Sequence, residues 1–311
     1  MTQTIAPTTN PEIHDEGAPR RRFTMQRLLM LTIVVLVMFI TLFPFYWMLR
    51  TALSNGKSLA ANPSSLLPAD FTWGAFKRVL GLSTVEQAQA EGGSGANLNF
   101  WLYLRNSVIV SVVITVGQVF FSAMAAYAFA RMRFPGRDFI FGLFLAALMI
   151  PGIFTMMPNF LLIKDLGLLN TLPGIILPFL FMTPFAIFFL RQFFLGINRE
   201  IEEAATLDGA GHFRIFWKVV LPMSSAPVFT LAILTYIGAW NEYFWPLIVA
   251  SDESARVLTV ALGVFQSQTP QGAPDWPGLM AATLVAALPI MALFAIFGKK
   301  IVNNIQFSGI K

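Results

Sequence analysis

An all-helical integral membrane protein with six transmembrane helices and both termini cytoplasmic is the fold class this sequence predicts, on three observations. Hydrophobic residues make up 56% of the 311 and charged residues only 12%, too little charge to cover a soluble domain of this length. Six apolar runs, nearly free of charge, are each long enough to cross a hydrocarbon core of about 30 Å, and none has a polar face, which sets them apart from buried helices of a large soluble protein. The bases gather at the ends of these runs. With the N-terminus inside, 14 of the 21 Lys and Arg fall on the cytoplasmic side, and the short turn RMRFPGR (131–137) is their densest cluster.

Residues 1–27, rich in Thr, Pro and Gly, read as a disordered cytoplasmic tail. The first span, 28–49, follows Arg20, Arg21 and Arg22, which resemble the n-region of a signal peptide. Its apolar run is too long for one and no A-x-A site follows closely, so an uncleaved anchor is expected. Residues 50–106 form the longest external piece, with a helix-like WGAFKRVLGL and a flexible AEGGSGAN; this is a small cap and not a separate domain. Spans two to four are expected at 107–130, 138–162 and 172–190. A cytoplasmic loop occupies 191–221, span five 222–249, an external loop 250–277, span six 278–298 and a cytoplasmic tail 299–311. Pro44, Pro151, Gly152, Pro158, Pro178, Pro184, Pro246 and Pro289 fall in or near spans. They kink helices either around a pathway or in an ordinary bundle.

No G-x-x-x-x-G-K-S/T loop is present, so the chain is not expected to hydrolyse ATP, and no H-E-x-x-H or paired metal ligands appear. Cysteine is absent, which removes disulfides and thiolate chemistry and leaves the compartment open. The bases form no single patch interleaved with aromatics, so nucleic acid is not an expected partner. Ion-coupled carriers keep ionisable groups at bilayer depth. Here the only acid in the interior of a run is Glu242, about 30 Å along the helix from Pro222 and hence near the outer boundary. With Asn241 it is either an interfacial polar cluster among Trp240, Tyr243 and Trp245 or part of an outer gate or pathway.

The segment EEAATLDGAGHFRIFWKVVLP, Glu202 to Pro222, breaks the apolar pattern. Asn198 is placed to N-cap a helix whose first turn is acidic. Ile201, Ala204 and Ala205 share a narrow face of mostly small residues. Asp208 and Gly209 stop that helix. A second amphipathic piece comes next, with Phe213, Phe216, Trp217 and Val220 on one side and Arg214 and Lys218 on another. Helix, glycine break and helix suit docking to a soluble partner, and suit equally an interfacial helix resting on headgroups.

The register Glu203-Ala204-Ala205, Gly209, Val219 and Leu221-Pro222 resembles the EAA motif of permease subunits of bacterial ABC importers, with Val219 where Ile is commoner. AYAFARMRFPGR (126–137), NSVIVS (106–111), GLSTVEQA and the PQ…W…AALPI run are similar to the smaller permease subunit of maltose/maltodextrin importers, from the first span onward. The resemblance implies a type I ABC permease fold in the bacterial inner membrane. It implies a homologous second permease, two ATPase subunits that bind the ATP, an extracytoplasmic sugar-binding protein, and no cofactor on this chain. The implied substrate is maltose, maltodextrin or a related sugar such as trehalose. By the same resemblance Glu203, Ala204, Ala205, Gly209, Leu221 and Pro222 form the coupling element, with Glu203 the candidate salt bridge to the ATPase. Gln266, Gln268, Thr269, Pro270, Gln271 and Trp276 lie in the loop that meets the binding protein. Asn303 to Lys311 take the place of a tail that reaches between the ATPase subunits. The alternative from another class is an ion-coupled secondary transporter acting without an ATPase.

Overall fold

The computed structural model describes residues 25–93, 98–267 and 275–306. Compact units divide after Trp47, within the first helix, α1 (Met25–Ala52). Between Leu28 and Phe45 of the first unit, the large apolar side chains are exposed all round the helix, the pattern of a lipid-facing span. The Thr32 hydroxyl donates to the Leu28 carbonyl at 2.9 Å, so its one polar group is satisfied within the helix.

The second unit opens with the external cap, built on α2 (Gly56–Ala61), α3 (Gly74–Val79) and α4 (Val85–Ala90). Thr84 and Gln87 form a capping box at the start of α4, each side chain bonding the other's backbone N–H. Arg50 folds back onto the cap, donating to the Leu67 and Asn62 carbonyls and to Ser65. Ala75 and Val79 of α3 pack into a core with Phe100, Tyr103, Leu258 and Ala281. The cap is thus continuous with the helices below it.

Next come α5 (Phe100–Arg131), α6 (Arg137–Ala147), α7 (Gly152–Asp165) and α8 (Leu172–Ile176). A 3-10 turn, Leu177–Phe179, leads to α9 (Pro184–Leu195). The chain continues through α10 (Arg199–Leu207), α11 (His212–Ile215), a π turn (Phe216–Val220), α12 (Leu221–Met223), α13 (Ser225–Asn241), α14 (Phe244–Val249), α15 (Leu258–Ser267) and α16 (Trp276–Gln306). No strand occurs among the described residues. Helix α5 is the axis, packed most extensively on α9 and α13. Ala123, Ala126 and Ala130 meet Ala186, Leu190 and Phe194 of α9 and Leu231 of α13; small residues let apolar helices approach closely. At Gly117 a Cβ would lie 2.7 Å from the Leu180 carbonyl oxygen, so that crossing requires glycine.

Three helices are unbroken, apolar and long enough to span: the 27–52 stretch of α1, α5, and α16 from Trp276 to Gly298. The other three expected spans are bent pairs. The third run is α6 and α7 at 100° and the fourth α8 and α9 at 47°, while the fifth, expected at 222–249, begins near an 80° bend between α13 and the 212–223 segment, most of which lies in the expected cytoplasmic loop. Proline explains the positions. Pro151 forces the residue before it away from helical backbone, and Pro184 sits at the first position of α9. The fifth run also ends early, since Glu242 is extended and Pro246 lies in the first turn of the separate α14.

The expected helical pieces of the cap are present, and NSVIVS has a visible task. Asn106 donates from Nδ2 to the Ser254 and Arg256 carbonyls at 2.9 and 3.0 Å. The Leu258 N–H donates to Ser107 Oγ at 2.8 Å, and Tyr103 Oη donates to Glu253 at 2.8 Å. One face of α5 therefore pins the segment between α14 and α15.

Candidate functional site

The segment singled out in the sequence folds as the two-part element expected, with different faces. Asn198 accepts the Glu200 N–H at 3.1 Å and starts α10. Asp208 ends it, with Gly209 at φ +81°. Gly209 N–H donates to the Thr206 carbonyl and Ala210 N–H to that of Ala205, both at 3.0 Å, the two bonds of a Schellman end. An added Cβ on Gly209 would meet nothing within 4 Å, so backbone conformation alone demands the glycine.

Ala205 is half-buried against the core beneath. Ile201, Glu203, Ala204 and Leu207 face out, Leu207 at 90% exposure. The outward face is therefore a mixture of one acid, one small residue and two aliphatics, and Leu207 is the docking candidate that sequence reasoning missed. Its signal was present: a leucine beside Asp208 and Gly209 has no helix turn left to fold under.

The two adjacent glutamates separate. Glu203 is exposed and takes part in none of the ion pairs among the described residues. Glu202 turns inward, its Oε1 2.8 Å from Nε of Arg131, with side-chain exposures of 13% and 5%. The contact is a close ion pair and not an aligned N–H···O bond, since neither atom meets hydrogen-bond geometry. Arg131 Nη2 also donates to the carbonyls of Phe194 (2.7 Å) and Ile197 (2.5 Å). Burial pushes the Glu202 carboxyl above the usual range, and Arg131, Arg199 and His212 pull it back in part.

The second amphipathic piece corrects an expectation. Phe216 and Val220, with Ile215, are buried in the core, while Phe213 and Trp217 are exposed and stacked at 6.5 Å. The four do not share one side, because the edge of the core runs between two pairs one turn apart: Phe213 and Trp217 fall outside it, Phe216 and Val220 inside. Arg214 and Lys218 are exposed. Leu221 is half-buried against that core, and Pro222 is exposed.

Of the outer-loop residues, Gln266 is exposed near the end of α15 and Trp276, 43% exposed, begins α16. Gln268, Thr269, Pro270 and Gln271 lie outside the described residues, as do 307–311 of the tail. The base of the loop is fixed. Asp275, with a side chain 2% exposed, accepts Arg78 Nη2 and the Gly278 N–H, both at 2.9 Å.

Asn241 and Glu242 are not a pair. Asn241 is exposed and donates to the Ile237 carbonyl at 2.9 Å. Glu242 Oε1 accepts the Trp245 N–H at 3.2 Å and caps α14, while its carbonyl accepts the Thr259 hydroxyl at 2.8 Å. Glu242 also lines a cavity of about 360 Å³ between α5, α8, α9, α13 and α14. The walls include Phe179, Phe185, Trp240 and Trp245 together with Gln118, Thr183 and Thr235, and Gln118 donates to Thr183 at 2.9 Å. Aromatic faces with a few fixed amide and hydroxyl groups suit a neutral polar ligand with an apolar face.

The chain is similar to known proteins over most of its length. Residues 118–306 match the family described as "Binding-protein-dependent transport system inner membrane component". The chain is 31% identical to the diacetylchitobiose uptake system permease protein NgcG of Streptomyces coelicolor, over 88% of this chain and 85% of that one. It is 30% identical to the trehalose/maltose transport system permease protein MalG of Thermococcus litoralis, over 94% and 99%. Among solved structures, a chain of a bacterial ABC transporter involved in the import of the acidic polysaccharide alginate superposes with a TM-score of 0.75 at 23% identity. The match covers 90% of this chain and 97% of that one, and shows a shared fold.

Proposed function

The chain belongs to the family of binding-protein-dependent transport system inner membrane components, and on that premise we propose that it is one permease half of an ATP-driven importer of an oligosaccharide. Maltose, maltodextrin or trehalose is the proposed cargo class. In this reading the chain crosses the inner membrane six times, the three bent pairs each counting as one span, with both termini cytoplasmic. A homologous permease completes the pathway, two ATPase subunits bind below, and a sugar-binding protein docks outside.

The observation that carries the reading is α10. It is capped at both ends, anchored on its inner side by Glu202 and Ala205, and presents Ile201, Glu203, Ala204 and Leu207 outward. A leucine left 90% exposed beside an unpaired glutamate is the surface of an element that finishes its packing in another protein. We assign Glu203 to a base of the ATPase and Leu207 to an apolar pocket there, with Gly209 holding the turn that ends the helix. ATP-driven closure of the ATPase dimer would move α10 and the bundle with it.

At the outer side, the loop from Gln266 to Trp276 is assigned to the binding protein, and Glu242 to the wall of the pathway through the aromatic cavity. The relatives' sugars and the aromatic walls of that cavity with Gln118, Thr183 and Thr235 support the substrate class. An ion-coupled carrier is disfavoured by Glu242, whose Oε1 is occupied in capping α14.

The test is ATP hydrolysis by the reconstituted complex of this chain, its second permease and its ATPase. The binding protein is supplied empty or loaded with maltose, trehalose or diacetylchitobiose. Stimulation by one loaded sugar is expected and identifies the cargo. Absence of stimulation by any of them in an assembled complex withdraws the sugar assignment, and sugar uptake without nucleotide overturns the ATP-driven reading.

A further inference from the structure

We propose that Arg131 is the positioning residue through which α10 moves the bundle, a clamp that makes α5, α9 and α10 travel together. The inference rests on the permease reading above, since it assigns the route by which motion of the docking helix leaves that helix. Two hydrogen bonds and one ion pair converge on one guanidinium. Arg131 is the last residue of α5, and its side chain is 5% exposed. Its Nη2 takes the carbonyls of Phe194 and Ile197, at and just past the carbonyl end of α9, where partial negative charge collects. Its Nε faces Glu202, in the first turn of α10.

The arrangement resists separation for electrostatic reasons. Pulling Glu202 away would part a largely buried ion pair and leave Arg131 with only the carbonyls of Phe194 and Ile197, which costs more than parting an exposed pair. The guanidinium lets Nε face Glu202 while Nη2 holds the two carbonyls, a division that the single nitrogen of a lysine does not offer. Few other contacts hold α10, since Ala205 is half-buried while Ile201, Glu203, Ala204 and Leu207 face out. A displacement imposed on the outer face of α10 is therefore delivered to α5 through Glu202–Arg131, and to α9 through the two carbonyls.

The receiving element is suited to carry it. Helix α5 has 32 residues, about 48 Å at the helical rise. From the clamp it runs past Gln118 in the aromatic cavity to Asn106 and Ser107, which hold the segment before α15. One rigid helix thus joins the docking element, the cavity and the outer segment.

The test uses the complete reconstituted complex with its binding protein and measures sugar moved per ATP hydrolysed. The variants are Glu202→Gln and Arg131→Lys, with Tyr127→Phe as control, whose hydroxyl is buried in the same core without a hydrogen-bond partner. A merely architectural role would lower the amount of complex and leave that ratio unchanged in the complex that assembles. The clamp predicts that hydrolysis continues while the ratio falls by about 2- to 30-fold, the range typical of coupling networks, in both variants and not in the control. An unchanged ratio in an assembled Glu202→Gln complex overturns the clamp alone. Failure of both variants to insert overturns it in favour of an architectural role. If the wild type moves no sugar with ATP, the permease reading falls and takes the clamp with it.

Discussion

At the scale of single residues, neighbouring positions of similar chemistry have been given opposite work. Glu202 and Glu203 differ by one place in the chain, which on a helix is about 100° of rotation, and that places one carboxylate against Arg131 and the other in solvent. Gly209 is required by its φ of +81° and by nothing around it. Gly209→Ala should cost about 1–2 kcal/mol of local stability and uncouple transport, with normal membrane insertion measured by immunoblotting of washed membranes. Glu203→Gln should leave insertion untouched and weaken ATPase association by about ten- to hundredfold, the scale of a charged hydrogen bond, in a pull-down titration.

The raised carboxyl of Glu202 adds a pH signature. The groups that face it are Arg131, Arg199, His212 and Tyr127. A raised acid takes up its proton at higher pH than an exposed glutamate, so the ion pair is present at high pH and is lost as pH falls through the raised value. Sugar moved per ATP should therefore decline on mild acidification of the cytoplasmic face in wild type. The decline should be absent in Glu202→Gln, in proteoliposomes with clamped internal pH.

Elements behave according to how their ends are held. The cap is fastened to the base of the outer loop by Arg78 and Asp275, with side-chain exposures of 9% and 2%. Asp275 also caps α16 through the Gly278 N–H. Removing one partner of a buried pair typically costs about 3–5 kcal/mol. Asp275→Ala should accordingly loosen α3 from α16, read as faster hydrogen exchange over Gly74–Val79. The α6–α7 and α12–α13 breaks show the converse: where Pro151 or Ser224 interrupts the backbone, the apolar run turns by 100° or 80° instead of continuing.

For the whole molecule, the prediction concerns sidedness. The chain contains no cysteine, so single replacements report topology without background. Leu207→Cys (90% exposed) and Leu82→Cys (72% exposed) stand on the docking element and on the cap. An impermeant maleimide should label the first only in inverted vesicles and the second only in intact spheroplasts. Labelling of both from one side would overturn the six-span arrangement.

Membrane character, helix content, the capped α10 and its glycine end were all legible in the sequence, because each depends on composition, on spacing within a turn or on one residue's backbone preference. The division between Phe213 and Phe216 was not, because where the edge of the core crosses an apolar helix face depends on elements distant in the chain that pack against it. Nor was the partnership of Arg131 with Glu202, since 71 positions of chain separate them. Sequence alone determined that the protein lives in lipid and carries a short polar helical element ended by a glycine, which short-range physics suffices to specify. Only the tertiary structure decided which glutamate faces outward and which the bundle, because that choice depends on where the ends of α5 and α9 come to rest.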